Sequence, residues 1–454
     1  MRLLHTADWH LGRIFYARYL TEDQAHVLEH QFFDLLKDQN LDGILLAGDI
    51  YDRSVPPVEA VELWDSVITK LAMDYNIPLF GISGNHDGPE RLEVGRHMLA
   101  NSGVHIWGTP EHAMAPFTVQ DEFGDIAICP MPFAEPRRID VALNRNGESS
   151  NLSSVANHAN KSTKTSKSTK SSKSTKSSKA DKKSVKTDIE QLDLFAESNE
   201  LAVDEAVDVV EINSFAEDIH RHDYDSVYQR WSDYLASLVP KKTRKIALSH
   251  AFVAGGEVGG SERVLSVGGN EVVNPAVFRN FNYAALGHLH GSQRAGADYI
   301  RYSGSLLKYS FDESNQQKSF TIVDMDKKGK VSLEFIPIEA KRDVVVLRGL
   351  FDDLLNDRTL QQQHKENYMK VELLDTAPII DGMAKLRQAY PHCMNLELVG
   401  RMERNELNPV RQEYKNLNER QLFAQFAEAV WKEPLSQAQS EYINQLWDDI
   451  NKDE

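Results

Sequence analysis

Five short apolar runs of this chain end in aspartate, asparagine or histidine, and this repetition constrains the fold more than any other feature. The runs end at residues 8–10, 49–52, 85–87, 250 and 288–290. Short apolar runs of this kind are typical of buried strands, and α/β proteins place their sites at the carboxyl ends of such strands. The pattern therefore predicts an α/β fold in which five strand ends bring polar side chains to one place.

Two of these segments carry potential ligands two residues apart, Asp8 with His10 and His288 with His290. In an extended chain, residues i and i+2 point to the same side. Each histidine alone is more simply explained as a hydrogen-bonded core residue. Carboxylates, an amide and imidazoles arriving together instead favour a divalent cation, with Mn²⁺, Fe and Zn as candidates.

The joint pattern D-x-H, G-D-x-x-D-R, G-N-H-D, H and G-H-x-H resembles the calcineurin-like metallophosphoesterase superfamily over about residues 1–340. The resemblance implies two divalent metal ions, with Mn²⁺ expected, and a bridging carboxylate at Asp49. Carried over residue by residue, the ligands of the first ion are Asp8, His10, Asp49 and His290. The ligands of the second ion are Asp49, Asn85, His250 and His288.

Three further residues have expected roles beside the ions. His86 follows the ligand Asn85, and we expect it to donate a proton to the leaving oxygen or to stabilise the transition state. Asp52 is expected to orient and charge His86, and Arg53 to contact the phosphate. For Asp52 and Arg53, a role as solvated surface residues is the alternative.

Longer strings narrow the resemblance to the SbcD-type DNA repair nuclease subunits of that superfamily. These strings are H-T-A-D-W-H-L-G-R at 5–13, A-L-G-H-L-H at 285–290 and Y-S-G-S-L at 302–306. Protein Ser/Thr phosphatases share the D-x-x-D-R spacing, but they have Glu where this chain has Asp87.

The resemblance implies a nuclease acting on DNA ends and hairpins, as a 3′→5′ exonuclease on duplexes and an endonuclease on single strands. Its expected processes are DNA repair, recombination and replication. A free-standing phosphatase or phosphodiesterase of small phosphoesters on the same fold is the alternative. A non-catalytic scaffold subunit would require an incomplete ligand set, whereas this set is complete.

The resemblance also implies partners. The expected assembly is a homodimer within a heterotetramer, in which an SbcC-like ATPase related to SMC proteins binds the C-terminal helices and supplies DNA grip. Residues 417–454 have the pattern of two amphipathic helices, the second opened by Pro434. From pattern alone, their apolar face could equally pack on its own domain.

The expected fold is α/β: a calcineurin-like metallophosphoesterase with two packed β-sheets flanked by helices, plus a small α/β capping domain and C-terminal helices. Residues 1–144 and 218–342 are expected to form the metallophosphoesterase domain, interrupted by an insertion at 145–217. Residues 343–405 are expected to form the cap, and residues 406–454 the C-terminal helices. In the main domain, helices are predicted near 21–39, 57–74, 88–101 and 223–238, the last with Tyr228 and Trp231 facing the core. Strands are predicted near 2–6, 43–48, 77–83, 126–130, 245–249, 283–287, 299–303 and 319–324.

The net charge of −17 is unevenly distributed. Residues 161–186 contain ten Lys and one Asp, a charge of +9, so the rest of the chain carries −26. This Lys/Ser/Thr-rich segment cannot bury enough apolar surface to fold, and we expect a disordered insertion. The acidic remainder argues against broad non-specific coating of DNA by this chain, but not against a metal-centred site.

A short string within the insertion resembles the peptide by which bacterial replication and repair proteins dock on the DNA sliding clamp. An ordinary amphipathic turn is the alternative. The residues that carry this resemblance are Gln191, Leu192, Leu194 and Phe195. No apolar run approaches the roughly 18 residues of a membrane span, and no signal peptide is recognisable, so a cytoplasmic protein with no membrane contact is expected.

Overall fold

The computed structural model describes residues 1–146, 223–260, 262, 271–400, 419–431 and 434–450. Within these residues the chain forms two six-stranded sheets, a three-stranded sheet and a two-stranded hairpin. The expected α/β fold, with two sheets flanked by helices, is confirmed. The predicted insertion lies almost wholly outside the described residues, and so do the clamp-motif residues Gln191, Leu192, Leu194 and Phe195.

The first sheet brings together strands from both ends of the chain. Its strands are β1 (Arg2–Thr6), β4 (Gly43–Ala47), β5 (Leu79–Ile82), β6 (Val104–Trp107), β13 (Ser319–Met325) and β14 (Val331–Pro337). Their order is β14-β13-β1-β4-β5-β6. Strands β1, β4, β5 and β6 are parallel, so their carboxyl ends lie along one edge. Strand β13 is antiparallel to β1 and joins the C-terminal part of the domain to it.

The second sheet consists of β7 (Phe117–Asp121), β8 (Gly124–Met131), β9 (Arg244–His250), β10 (Tyr283–Gly287), β11 (Gln293–Ala295) and β12 (Ala297–Tyr302). Their order is β11-β12-β10-β9-β8-β7. Strands β8, β9, β10 and β12 are parallel, while β7 and β11 pair antiparallel with their neighbours. The hairpin consists of β2 (Ile14–Phe15) and β3 (Arg18–Tyr19).

The two sheets pack face to face, with buried side chains such as Leu45, Phe80 and Leu248 between them. Helices cover both outer faces. On the second sheet, the helix Tyr224–Ser237 buries Tyr228 and Trp231, as its helical spacing predicts. The helices over the first sheet are Thr21–His26, Val27–Phe32 (a π-helical turn), Phe33–Asp38, Val58–Lys70 and Leu71–Tyr75 (also π-helical).

The helix that the sequence predicts over 88–101 is broken into Pro89–Leu92 and Arg96–Asn101. Gly95 lies at the break with φ +75°, a conformation that glycine adopts at no steric cost. The side chain of Glu93 accepts a hydrogen bond from Gly108 N at 2.9 Å. A further helix spans residues 136–146.

The small sheet orders its three parallel strands as β15-β16-β17 and packs three short helices against them. The strands are β15 (Val344–Gly349), β16 (Tyr368–Leu373) and β17 (Cys393–Leu398), and the helices are Phe351–Asn356, Arg358–His364 and Gly382–Ala389. The hydroxyl of Tyr368 donates to Asp23 Oδ2 at 2.7 Å, which ties this unit to the first helix of the chain.

Two C-terminal helices, Glu419–Trp431 and Gln437–Ile450, match the amphipathic pattern of the sequence. Their aromatic residues Phe423 and Trp447 are in contact, with ring centroids 5.8 Å apart. Across the described part of the chain, no helix combines the length and the apolar character that a bilayer span requires.

Candidate metal centre

The candidate site lies where the carboxyl ends of parallel strands from both sheets meet. His250 ends β9 in the second sheet, and its ring Nδ1 donates to the main-chain oxygen of Ala47, which ends β4 in the first sheet, at 2.8 Å. Gly287, at the end of β10, also packs tightly against β4. A Cβ added at Gly287 would lie only 1.8 Å from Ala47 O. The close approach brings polar residues from both sheets into one cluster.

The loops that follow β1 and β4 hold unusual backbone conformations. Asp8, His10 and Asp49 have φ of 52°, 45° and 49°, in the left-handed region that non-glycine residues rarely adopt. Hydrogen bonds between the loops hold them there, from Asp8 N to Gly48 O at 3.0 Å and from His10 N to Asp49 O at 2.9 Å. Such strain persists where surrounding contacts enforce it, and it concentrates at functional sites.

The first group of potential ligands is Asp8, His10 and His290, whose ligand atoms all lie within 4.8 Å of one another. The Nε2 atoms of His10 and His290 are 3.1 Å apart. All three residues are buried. Two imidazole nitrogens facing each other beside a carboxylate form a donor set that suits a divalent cation.

The second group is centred on Asp49, which lies between the two sheets with Asp8 and His250. His250 Nε2 is 3.4 Å from Asp49 Oδ2 and 2.9 Å from Asn85 Oδ1. The same amide oxygen of Asn85 is 3.2 Å from His288 Nδ1. Because the Nδ1–H of His250 donates to Ala47 O, its Nε2 is the nitrogen that faces the group.

The structure thus brings together all seven residues that the sequence analysis proposes as ligands. Asn85 is partly exposed, and the other six are buried. Two glycines make this convergence possible. An added Cβ at Gly84 would lie 2.1 Å from Asp49 Oδ1, and one at Gly48 would lie 2.4 Å from His250 Nδ1.

The electrostatics of the site fit a cation. Burial raises the pKa of Asp8 well above its usual range, because removal from water disfavours the charge of this carboxylate. Burial also opposes ionisation of Asp49, but His250 beside it holds the pKa of Asp49 well below its usual range. Among the described residues, the hydrogen bonds and ion pairs of both carboxylates are made with histidine rings and main-chain N–H groups. A divalent cation would compensate both charges.

The histidines differ in how readily they can act as ligands. Burial lowers the pKa of His10 to about 4 and that of His288 to about 3, so both are neutral near pH 7. Burial also opposes the charge of His250, but Asp49 raises the pKa of His250 to about 9. Ligation by His250 would therefore release a proton, and cation binding at this site would be favoured by rising pH.

His86 lies beside the potential ligands, as the sequence analysis expects. Its contact with Asp52 is made by the main chain of Asp52 and not by the carboxylate. His86 Nδ1 is 2.8 Å from the main-chain oxygen of Asp52, and His86 N donates to Asp49 Oδ1 at 2.8 Å. The carboxylate of Asp52 instead accepts from Arg13 Nη1 at 2.8 Å and lies 3.5 Å from His10 Nδ1. Asp52 thus contacts His86 through its main-chain oxygen, as a residue that orients the ring would. The expectation that it also charges His86 is corrected, because its carboxylate pairs with Arg13 and His10 instead.

His86 also forms a compact group with His10 and Asp49. The expected phosphate contact Arg53 has a half-exposed side chain, 3.8 Å from Asp52 Oδ2. Arg13 is closer than Arg53 to the carboxylate of Asp52, at 2.8 Å, and its guanidinium carbon lies 5.6 Å from the ring centroid of Tyr309. Sequence reasoning did not single out Arg13, although it belongs to the string that carries the family resemblance.

Sequence reasoning also assigned no supporting role to several residues around the site. The amide nitrogen of Gln24 donates to the main-chain oxygens of Trp9 and His10, at 3.0 and 2.7 Å, and fixes the first loop. The carboxylate of Asp87 accepts from three main-chain N–H groups, those of Ile50, Tyr51 and Gly84. Glu262, Glu313 and Lys318 surround His290.

The model of the calcineurin-like phosphoesterase family matches residues 1–292. A second family model, described as the type 5 capsule protein repressor C-terminal domain, matches residues 340–430. The chain is similar to a Staphylococcus epidermidis protein named as the SbcD subunit of the SbcCD nuclease, with 28% identity over 446 residues, 98% of either chain. A protein of the same name from Staphylococcus saprophyticus is 28% identical over 446 residues, 98% of this chain and 97% of that protein.

Proposed function

The chain belongs to the calcineurin-like phosphoesterase family, and we propose that it is the metal-dependent nuclease subunit of a complex with an SbcC-like ATPase. The observation that carries this proposal is the convergence of seven potential ligands at the meeting edge of the two sheets. The similarity to proteins named as SbcD subunits of the SbcCD nuclease, which extends over 98% of the chain, supports DNA as the substrate.

We propose two divalent cations, Mn²⁺ in preference to others, with Asp49 shared between them. One would be held by Asp8, His10, Asp49 and His290, and the other by Asp49, Asn85, His250 and His288. When bound, the ions supply a lowered pKa of water and neutralise charge on the phosphoryl group. The amide oxygen of Asn85 is neutral, and this limits the negative charge that an incoming phosphodiester meets.

The chain's own residues would then hold the phosphodiester and move a proton. His86 has Nδ1 occupied by the main-chain oxygen of Asp52, so Nε2 is the atom that would protonate the leaving oxygen. Arg13 and Arg53 flank the carboxylate of Asp52 and provide positive charge beside the site. In this proposal Asp52 acts mainly on His10 and Arg13, and Arg53 contacts the phosphate.

The finer features of the proposal follow the family resemblance. They are 3′→5′ exonuclease action on duplexes, endonuclease action on single strands, and roles at DNA ends and hairpins in repair, recombination and replication in the cytoplasm. The unit at 343–405 would cap the catalytic domain. Exposed apolar side chains on the last two helices, including Phe426 and Tyr442, are suited to docking on the ATPase.

A homodimer within a heterotetramer and docking of the insertion on the sliding clamp are further parts of the proposal. The clamp interaction rests on Gln191, Leu192, Leu194 and Phe195 alone. This part is tested separately from the nuclease by measuring the binding of the chain to purified sliding clamp. A variant in which Leu194 and Phe195 are both replaced by alanine is measured beside it.

The function is tested by cleavage of hairpin DNA, labelled at the 5′ or the 3′ end, by the purified full chain in Mn²⁺, with and without the ATPase partner and ATP. We expect cleavage that Asp49→Asn abolishes. Asp298→Asn, which changes an exposed acid in an i,i+4 ion pair with Arg294, is the matched control. Absence of DNA cleavage, with turnover of p-nitrophenyl phosphate esters intact, would instead support the free-standing phosphoesterase.

A further inference from the structure

A buried pair of opposite charges lies directly behind His290. Glu313 Oε2 and Lys318 Nζ are 2.6 Å apart, and the two residues are 0% and 4% exposed. Removing such ions from water costs several kcal/mol each, and apolar side chains of similar volume are often at least as stabilising. Stability alone therefore does not explain why charged residues occupy this place.

The pair contacts His290 at two points. Glu313 Oε1 lies 3.4 Å from the ring Nδ1 of His290, and Lys318 Nζ donates to the main-chain oxygen of His290 at 2.8 Å. On the other side, the main-chain N–H of His290 donates to Glu262 Oε1 at 2.9 Å. Charged side chains thus engage the ring and both main-chain polar groups of one residue.

These contacts leave His290 Nε2 facing His10 Nε2, at 3.1 Å, in the group that includes Asp8. A carboxylate that accepts from Nδ1 keeps the proton on that nitrogen, so the lone pair of Nε2 points into the site. Lys318 Nζ lies 2.6 Å from the second carboxylate oxygen of Glu313 and balances its charge.

We propose that Glu313 and Lys318 are positioning residues that fix the tautomer and the orientation of His290 and so set the cation affinity of the group Asp8, His10 and His290. The inference rests on the proposed metal-dependent function. Contacts of this kind behind a metal ligand are worth about 10- to 100-fold in metal affinity.

The effect is expected at one cation site and not at the other. His250, in the second group, donates its Nδ1–H to the neutral main-chain oxygen of Ala47. It is far from Glu313 in the sequence, and its hydrogen-bond partners differ from those of Glu313. A substitution at Glu313 is therefore expected to weaken one of two binding steps, which a general loosening of the fold would not do.

The test measures Mn²⁺ binding to the purified full chain by two methods. These are calorimetric titration and the electron paramagnetic resonance signal of free Mn²⁺. Wild type is expected to bind two ions. Glu313→Gln keeps the shape of the side chain but removes its charge, and one of the two dissociation constants is expected to rise about 10-fold or more.

Glu313→Gln also leaves Lys318 without its charge partner, so the double variant Glu313→Gln/Lys318→Met is measured beside it. We expect the double variant to recover thermal stability and to keep the weakened Mn²⁺ binding. Arg244→Met is the control, because it breaks a buried ion pair with Asp121 at the opposite end of β9 from His250. That variant is expected to lose stability and to bind Mn²⁺ as the wild type does.

Unchanged Mn²⁺ affinity in Glu313→Gln would overturn the inference, and so would full recovery of affinity in the double variant. Equal weakening of both ions by Glu313→Gln and by Arg244→Met would also overturn it, since the effect would then be structural. Failure of the wild-type chain to bind Mn²⁺ would contradict the proposed function itself and is recognisable without any variant.

Discussion

The imidazole Nδ1 of His86 is hydrogen-bonded to the main-chain carbonyl oxygen of Asp52, at 2.8 Å. A carbonyl oxygen can only accept a hydrogen bond, so Nδ1 carries a proton and Nε2 is the nitrogen that can gain or lose one. The Asp52 carboxylate is turned towards Arg13 and His10. His86 is therefore oriented by a neutral main-chain group, and its Nε2 is the nitrogen available for proton transfer.

This arrangement predicts that His86→Gln lowers the rate and keeps the metals. We expect a loss of about 10²- to 10⁴-fold in kcat, the usual contribution of a positioned acid or base. The loss should be largest for phosphodiesters with poor leaving groups, because a good leaving group needs no proton. Rates on a series of aryl phosphodiesters, with Mn²⁺ stoichiometry measured beside them, check this. Loss of a bound ion would instead identify His86 as a ligand, as its proximity to His10 and Asp49 permits.

Gly84 is predicted to tolerate no side chain. In Gly84→Ala, the new Cβ would meet Asp49 Oδ1 at 2.1 Å, so the shared carboxylate must move. We expect this variant to lose Mn²⁺ binding and activity. Gly95→Ala is the matched control: it also strains the backbone, at φ +75°, but its Cβ meets nothing within 4 Å. It should cost about 1–2 kcal/mol of stability and leave Mn²⁺ binding unchanged. Equal effects of the two variants on metal binding would refute the steric argument.

Gln24 is predicted to support the first metal loop. Gln24→Met has similar volume but leaves the buried main-chain oxygens of Trp9 and His10 without this donor. Trp9 O keeps the Tyr309 hydroxyl as a donor and His10 O keeps Arg13 N. Each lost hydrogen bond therefore costs about 0.5–1.5 kcal/mol, and we expect lower stability in denaturant unfolding and weaker Mn²⁺ binding. Gln31→Met, on the following turns, removes side-chain contacts with the main chain of Glu339 instead. A similar loss of Mn²⁺ affinity in that control would mean that helix stability, and not the loop contact, is responsible.

The loss of folding stability at acid pH is predicted to depend on Asp121. Hydrogen bonding to Arg244, joined by the N-terminal amine, holds the pKa of Asp121 well below its usual range. Because the folded-state pKa is depressed, the contribution is present above the unfolded-state pKa of about 3.9 and is lost as pH falls further. Unfolding of the chain in EDTA from pH 5 to 2.5 should show a loss of about 1–3 kcal/mol from this group.

Asp121→Asn should be less stable at pH 5 and show a smaller loss across that window, whereas the exposed Asp298→Asn should follow the wild type. An identical pH dependence of Asp121→Asn and wild type would show that the ion pair contributes no pH-dependent stability.

Sequence reasoning located most strands that carry the site, because each is an apolar run with a polar end. It missed all four edge strands of the two large sheets, β6, β7, β11 and β14, because their sequences alternate or are polar and lack a continuous apolar run. It also predicted one helix where Gly95 breaks the chain into two. Both errors concern places where tertiary contacts, and not local pattern, decide the backbone.

The seven potential ligands were named from their types and spacing, and the structure brings them together. The contacts behind them were not foreseeable. Glu313 and Lys318 follow His290 by 23 and 28 residues and carry no periodic signal. Asp52 follows Asp49 by three residues, a spacing that indicated a partner for His86 but could not show which way the carboxylate turns.

The sequence by itself determined the fold class and which side chains could meet a cation, because strand ends and ligand types are local properties of the chain. The tertiary structure alone decided which groups hold those side chains in place. His290 contacts Glu313 and Lys318, and His86 contacts a main-chain oxygen. The same residues could form many other hydrogen bonds, and the packing of the two sheets selects this set.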